Sequence, residues 1–308
     1  MPDDLSHAPL ITEPGVHPDV PAHLYHTGAV TPQPAYSAGI GWELVRKGSC
    51  PAKAWFNSDL NPGHEREEKA AFDIGNAAHL LFLEPHLYYG RIAIIDAEDW
   101  RTKAAKADRD AARAQGKIPL LAHQEDAVRK MREAMRNAIK GLPFDTAPSF
   151  AEGALVGGEA EVSYIWRDDD AGIWCKSRPD TIRRPHLVDY KTAASADPLE
   201  LQRVAHNLGW PLRGAHYLDG HKKLTGDDGK YWYIVQEKTK PYLVTVCALD
   251  RDAMEWGKKQ LATSRAIFSA CQKSGRWPSY SDEAVIISLP RWAEIELQDR
   301  DAAGEFDP

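Results

Sequence analysis

Asp180, Asp189 and Lys191 are the residues of this chain whose types and spacing could do chemistry together. They belong to the stretch WCKSRPDTIRRPHLVDYK, residues 174–191, which reads as two strands joined by a turn at Arg184, Pro185 and His186. Side chains two apart in a strand point to one face, so Asp189 and Lys191 project together while Tyr190 goes to the other side. Asp180 closes the preceding strand and can lie beside them. Two carboxylates and an ammonium at strand ends are what metal-assisted phosphodiester hydrolysis needs. The carboxylates hold Mg²⁺ through hard oxygen ligands, and the lysine orients an attacking water or offsets charge developing on the phosphate. Taken alone, an Asp-x-Lys pair also fits a solvated hairpin with an ion pair, so the surrounding elements decide.

Those elements can be followed along the chain. Residues 1–35 are rich in proline and histidine without a helical period and read as an extended, partly disordered arm. Ser37 is a good N-cap for a helix from Ile40 to Lys47, which carries Arg46. The run from Phe72 to Glu84 reads as an apolar helix ended by Pro85. In it Gly75 and Ala78 admit a close neighbour, and His79 falls on roughly the face of Gly75. From about 98 to 141 the chain is helical and basic, with a stop at Gly141. Lys106, Arg109, Arg113 and Lys117 recur there at spacings of three and four, as on a solvated helix face or on an arm tracking a duplex.

Residues 159–166, EAEVSYIW, alternate as a strand does. The acidic turn after them, 167–172, lacks the alternating ligands and distal glutamate of a calcium loop. Asp197 and Pro198 begin a helix, and Pro211 is expected to kink the helix that carries Arg213 and Tyr217. Strands follow at 230–237 and 242–249, and a helix from Asp250 to Lys273 closes the domain. This order predicts an α/β domain with a central mixed β-sheet flanked by helices and a helical insertion. A solvated acidic tail is expected over 293–308.

With 308 residues, 43% hydrophobic and 27% charged, the chain can bury a substantial core. No apolar run is long enough to span a membrane and the polar start MPDDLSHAPL is no secretory signal, so a cytoplasmic protein is expected. The four cysteines, Cys50, Cys175, Cys247 and Cys271, form no C-x-x-C pair and indicate neither a structural zinc site nor a disulfide framework. A net charge of −7 disfavours a nonspecific nucleic-acid coat protein but leaves room for local basic patches.

Gly75 and His79, Glu161, Asp180, then Asp189-x-Lys191, in that order, resemble the signature of the PD-(D/E)XK nucleases. Arg178-Pro179-Asp180 followed by Asp189-Tyr190-Lys191-Thr192 is similar to their exonuclease VIII (RecE-type) branch, and the likeness spans roughly Gly15 to Trp292. It implies a nuclease domain over 36–292 with a restriction-endonuclease-like core. It further implies a Mg²⁺-dependent DNA exonuclease, with Mn²⁺ able to substitute, acting 5′ to 3′ on linear duplex ends and leaving 3′ overhangs for recombination. His79, Glu161, Asp180 and Asp189 are then the metal ligands, with Glu159 competing with Glu161, and Lys191 assists the attacking water. Ser37 and Arg46 fall where the family holds a terminal phosphate, and Lys106, Arg109, Arg113, Arg178, Arg213 and Tyr217 are further DNA or phosphate contacts. The family pattern Tyr-x-x-Gln-x-x-x-Tyr is met here by Trp210, Arg213 and Tyr217. Arginine cannot accept a hydrogen bond as glutamine can, though it clamps phosphate more strongly. By the same resemblance a ring-shaped homo-oligomer, a single-strand-annealing partner protein and a bacterial or phage origin are expected. An endonuclease on the same fold, or a catalytically weak DNA-end-binding protein, are the competing readings.

Overall fold

The computed structural model describes residues 10–64, 70–140 and 159–307. The chain enters through a short strand β1 (Gly15–His17) and a one-turn helix α1 (Ala22–Tyr25). Helix α2 (Ala38–Val45) is capped by Ser37, whose Oγ accepts from the Ile40 N–H, and α3 (Pro51–Phe56) carries proline in its first turn. Helix α4 (Ala70–Leu83) stops just before Pro85, which opens α5 (Pro85–Arg91). Strand β2 (Ile92–Ile95), helix α6 (Lys103–Ala114), strand β3 (Ile118–Leu121) and helix α7 (Ala122–Lys140) complete the first half.

The second half holds β4 (Glu159–Ala160), β5 (Ser163–Asp168), β6 (Ile173–Ser177), β7 (Thr181–Arg183) and β8 (His186–Ala193). Helices α8 (Pro198–Asn207) and α9 (Trp210–Thr225) lead to β9 (Tyr231–Glu237) and β10 (Val244–Ala248), and α10 (Arg251–Ser274) and α11 (Arg291–Ala302) end the chain. The main sheet has the order β10-β9-β8-β7-β4; β8 and β9 run parallel and the other pairs antiparallel, the mixed sheet expected. The parallel crossover from β8 to β9 is made by α8 and α9. A second sheet has the order β1-β5-β6.

Two apolar layers cover the two faces of the main sheet. Leu187 of β8 with Tyr231, Tyr233 and Val235 of β9 pack toward α2, α9 and α10. Val188 and Tyr190 with Trp232 and Ile234 pack toward α4 and α7. The period of two in β8 therefore sends Asp189 and Lys191 to the α9 side and Tyr190 to the α4 side, as the sequence requires. The Tyr190 ring stands edge-on to Phe82, and its hydroxyl donates to Gln236 Oε1 at 2.8 Å. Gln236 Nε2 in turn donates to the Met131 carbonyl at 2.8 Å, tying β8 through β9 to α7.

Five expectations change. Part of the arm is tied to the fold: β1 pairs with β5, and Lys176 Nζ donates to the carbonyls of Tyr25 and Thr27. The basic insertion is not all helix, because Gly116 at φ 68° ends α6 and the buried run Pro119–Leu121 lies in β3, parallel to β2. The expected stop at Gly141 lies outside the described residues. The stretch 174–183 is two strands in different sheets, broken where Pro179 offers no N–H to a ladder. Pro211 makes no kink. Gly209 at φ 66° separates α8 from α9, so Pro211 falls in the first turn of α9, where no N–H is needed. The acidic tail is largely helical, as α11, and buries no residue. Among the described residues no helix is long and apolar enough to cross a membrane.

Candidate active site

The site lies where one long hairpin bends. Strands β5 and β6 pair in one sheet, and their continuations β4 and β7 pair in the other. Both arms of the hairpin turn at the same level, at Glu161 on one side and at Arg178, Pro179 and Asp180 on the other. The Glu161 N–H donates to the Asp180 carbonyl across the bend at 3.2 Å. Glu161 adopts φ 55°, the left-handed region that costs a non-glycine residue energy and that turns its side chain out of the strand alternation. That is why Glu161, and not the exposed Glu159 on β4, brings its carboxylate to Asp180.

Strand β7 begins to pair with β8 at Thr181 opposite Val188, so the β8 edge beyond Val188 has no β7 partner. Asp180 takes that place, its Oδ2 accepting from the Tyr190 N–H at 2.7 Å. Helix α4 supplies the third group. His79 Nε2 stands 3.2 Å from Asp180 Oδ2 and 3.8 Å from Glu161 Oε1. One ligand atom from each of His79, Glu161 and Asp180 lies within 4.8 Å of the others. Asp189 stands apart from this trio with its Oδ2 2.6 Å from Lys191 Nζ. Two carboxylates and an imidazole at this spacing suit a divalent cation bound through hard oxygen and nitrogen donors.

The acids and bases of the site shift one another's protonation. Burial, with Asp180's charge adding and His79 opposing, lifts the Glu161 carboxyl to about 7. Burial would depress His79, but the hydrogen bond and charge of Asp180 together with Glu161 outweigh it and raise its pKa. Asp180 is held below the ordinary carboxylate value despite its burial, by His79, Lys191 and the Tyr190 N–H. Asp189 is raised by burial and by the charge of Asp180, against the pull of Lys191. Lys191 is raised because Asp189 and Asp180 outweigh its desolvation.

Helix α9 closes the other side. Arg213 is half-buried, its Nε donating to the Leu208 carbonyl at 3.1 Å, and its charge acts on both Asp189 and Lys191. Tyr217 is half-buried, and its hydroxyl pKa is pushed up by burial and by the charges of Asp189 and Asp180. The remaining expected contacts lie elsewhere. Arg178 is buried at the bend, donating to Ser163 Oγ and, at 2.6 Å, to the Val20 carbonyl, so it holds the fold rather than facing solvent. Arg113 turns inward to Asp73 of α4 at 2.9 Å, Arg109 pairs with Asp110 at 2.8 Å, and Lys106 is exposed; the helix α6 stripe is therefore not continuous. Ser37 caps α2, and Arg46 pairs with Glu43 at 2.7 Å. Sequence reasoning missed Asp73, whose pairing fastens α6 to the helix bearing His79; its signal was an acidic residue inside an apolar helix.

A bent mixed sheet that gathers carboxylates at its corner beside an Asp-x-Lys strand is the frame of the PD-(D/E)XK superfamily, and the chain carries a PDDEXK-like domain by fold and family. A family profile described as a PDDEXK-like domain of unknown function (DUF3799) matches residues 44–290, and the chain belongs to that family. Among solved structures, a crystal structure from Eubacterium rectale named "Putative exonuclease" is similar in fold. It has a TM-score of 0.56 and 12% sequence identity, over 90% of this chain and 98% of that one. No curated protein matches the sequence.

Proposed function

We propose that the protein is a Mg²⁺-dependent DNA exonuclease of the exonuclease VIII (RecE-type) kind. It degrades linear duplex DNA from 5′ ends and leaves 3′ overhangs for a single-strand-annealing partner. The observation that carries this is the convergence of His79, Glu161 and Asp180 beside the Asp189–Lys191 pair. The likeness to a structure named as an exonuclease supports the end-dependent form over the endonuclease. By the resemblance to the exonuclease VIII branch the working form is a ring-shaped homo-oligomer, which would let an acidic chain present a basic channel to DNA.

His79, Glu161 and Asp180, with Asp189 beside them, would hold the cation. Bound there, Mg²⁺ supplies polarisation of the scissile phosphate and offsets its developing charge. Lys191 Nζ, oriented by Asp189 at 2.6 Å, donates to the attacking water or to a phosphate oxygen. Arg213 adds a second cation from α9, where a glutamine carbonyl in the resembling family would accept instead. Glu161, whose carboxyl titrates near 7, would have to be deprotonated to hold the cation.

The test is nucleotide release from a linear 5′-phosphorylated duplex with Mg²⁺, beside closed circular DNA and the Asp180→Asn variant. Digestion of the linear DNA alone, lost in the variant, is expected. Cutting of circles would replace this reading with the endonuclease, and no metal-dependent digestion of either would leave a DNA-end-binding protein.

A further inference from the structure

The C-terminal segment is unlike the rest of the molecule. After Trp277 packs against Phe268 and Tyr280 bonds the Gly48 carbonyl, no residue of the chain up to 307 is buried. Yet this segment reads AVIISLPRW over 284–292, and Ile286 and Ile287 are 97% and 88% exposed, with Trp292 at 69%. Apolar side chains this exposed and this contiguous mark an interface. Helix α11 has a matching pattern. Trp292, Ile295, Glu296 and Asp299 share one face by spacing, and from 293 to 308 six acidic residues stand against the single Arg300.

A complementary surface exists on the opposite side of the molecule. A groove of about 500 Å³ runs between α4, α5 and α7, with Leu81, Pro85 and Tyr89 as its apolar lining and Arg129, Arg132 and Arg136 along one side. The three arginines recur at spacings of three and four on α7, against the one groove acid, Glu133. Tyr89 is 73% exposed, and among the described residues neither Arg132 nor Arg136 has an ion-pair partner. The root of the arm packs on the α2–α10 side of the main sheet, whereas the groove lies on the α4–α7 side.

We propose that the C-terminal arm of one copy seats in the α4–α5–α7 groove of a second copy, Trp292 and Ile295 on Tyr89 and Pro85, and Glu296 and Asp299 against Arg132 and Arg136. The occupant is a second copy because this chain itself carries the acidic, apolar helix whose charge and spacing match the groove, and the arm is rooted on the opposite face of the main sheet. Arm and groove are different surfaces, so the contact is head to tail and generates a ring or an open chain of copies. This supplies an interface for the oligomer under Proposed function, but it does not depend on the nuclease chemistry.

The test is sedimentation of the full chain without DNA or metal, so that loss of assembly and loss of hydrolysis are read separately. The wild-type protein is expected to self-associate at micromolar concentration. A groove variant, Arg132→Glu with Arg136→Glu, and an arm variant, Glu296→Arg with Asp299→Arg, should each weaken self-association by about tenfold or more while retaining the wild-type circular dichroism. Mixed one to one, they should assemble again, because each then offers an arm of the charge that the other's groove takes. A monomeric wild-type protein, undiminished association after truncation at residue 282, or failure of the mixture to assemble would overturn the proposal. So would groove variants that lose DNA binding while their association is unchanged, which would make the arginines a nucleic-acid contact.

Discussion

Gly75 of α4 lies so close to Thr192 of β8 that a Cβ at position 75 would come within 2.9 Å of the threonine Oγ1. This close approach sets the distance between the helix that carries His79 and the strand that carries Asp189 and Lys191. Gly75→Ala must displace the Thr192 hydroxyl or push the two elements apart; if the elements move, His79 shifts from Asp180, and Mn²⁺ binding should weaken by about tenfold with a loss of roughly 1–3 kcal/mol in stability. Adding Thr192→Ala removes the clashing oxygen and should restore most of the affinity. Calorimetric titration of the two variants checks this; equal affinity in Gly75→Ala would show that α4 can shift without cost to the site.

Lys191 and the trio should separate by readout. Lys191→Met removes the ammonium without touching His79, Glu161 or Asp180, so Mn²⁺ affinity should stay within about twofold while turnover falls about 10²- to 10³-fold. Asp180→Asn should lose both, because Asp180 touches His79 and the Tyr190 N–H as well as the cation. Single-turnover rates beside metal titrations distinguish the two classes.

Metal affinity should depend on pH through Glu161. Its carboxyl titrates near 7 in the folded protein, so a proton competes with the cation below that value. Mn²⁺ affinity is expected to rise with pH from 6 to 8, because Glu161, which titrates near 7, and His79, whose pKa is raised, must both be deprotonated to bind the cation. In Glu161→Gln the slope should become shallower, leaving the share of His79, and a wild-type affinity that is flat from pH 6 to 8 would contradict the assignment.

A second titration concerns stability. His216 is buried and its pKa is driven well below 6.5, by burial first and by the charge of Arg265 next. Its Nδ1 accepts from Arg265 Nη2 at 3.1 Å, so Nε2 carries the proton donated to the Lys176 carbonyl at 3.0 Å. The unfolded chain takes up a proton on this histidine below pH 6.5 and the folded one does not, so stability is lost as pH falls through 6.5. The slope from this residue is at most about 1.4 kcal/mol per pH unit. Glu161, with its raised pKa, acts with the opposite sign between 7 and 4.5. The readout is therefore the difference between wild type and His216→Gln in urea-denaturation stability over pH 6.5 to 5.5. Parallel lines for the two proteins would contradict the neutral buried histidine.

Much of the site was legible before any coordinates. Alternation alone put Asp189 with Lys191 and against Tyr190, because successive side chains of a strand point to opposite faces. The α4 helix and its end at Pro85 followed from apolar spacing and from a residue that cannot continue a helix. The choice between Glu159 and Glu161 was not legible, since it turns on a backbone angle at the bend. Nor was the inward turn of Arg113. A basic residue at helical spacing looks the same in sequence whether it faces water or a buried aspartate on another helix.

The amino-acid sequence by itself determined the helix and strand types around the site, the shared face of Asp189 and Lys191, and the residue kinds needed for a hard cation. These depend on neighbours within a few positions, where period and capping act. Only the tertiary structure decided that His79, Glu161 and Asp180 form one trio while Asp189 turns to Lys191, that Arg178 is part of the scaffold, and that α11 stands uncovered. Each of those outcomes depends on where two sheets bend and which helix packs across them, contacts between residues far apart in the chain that no local pattern encodes.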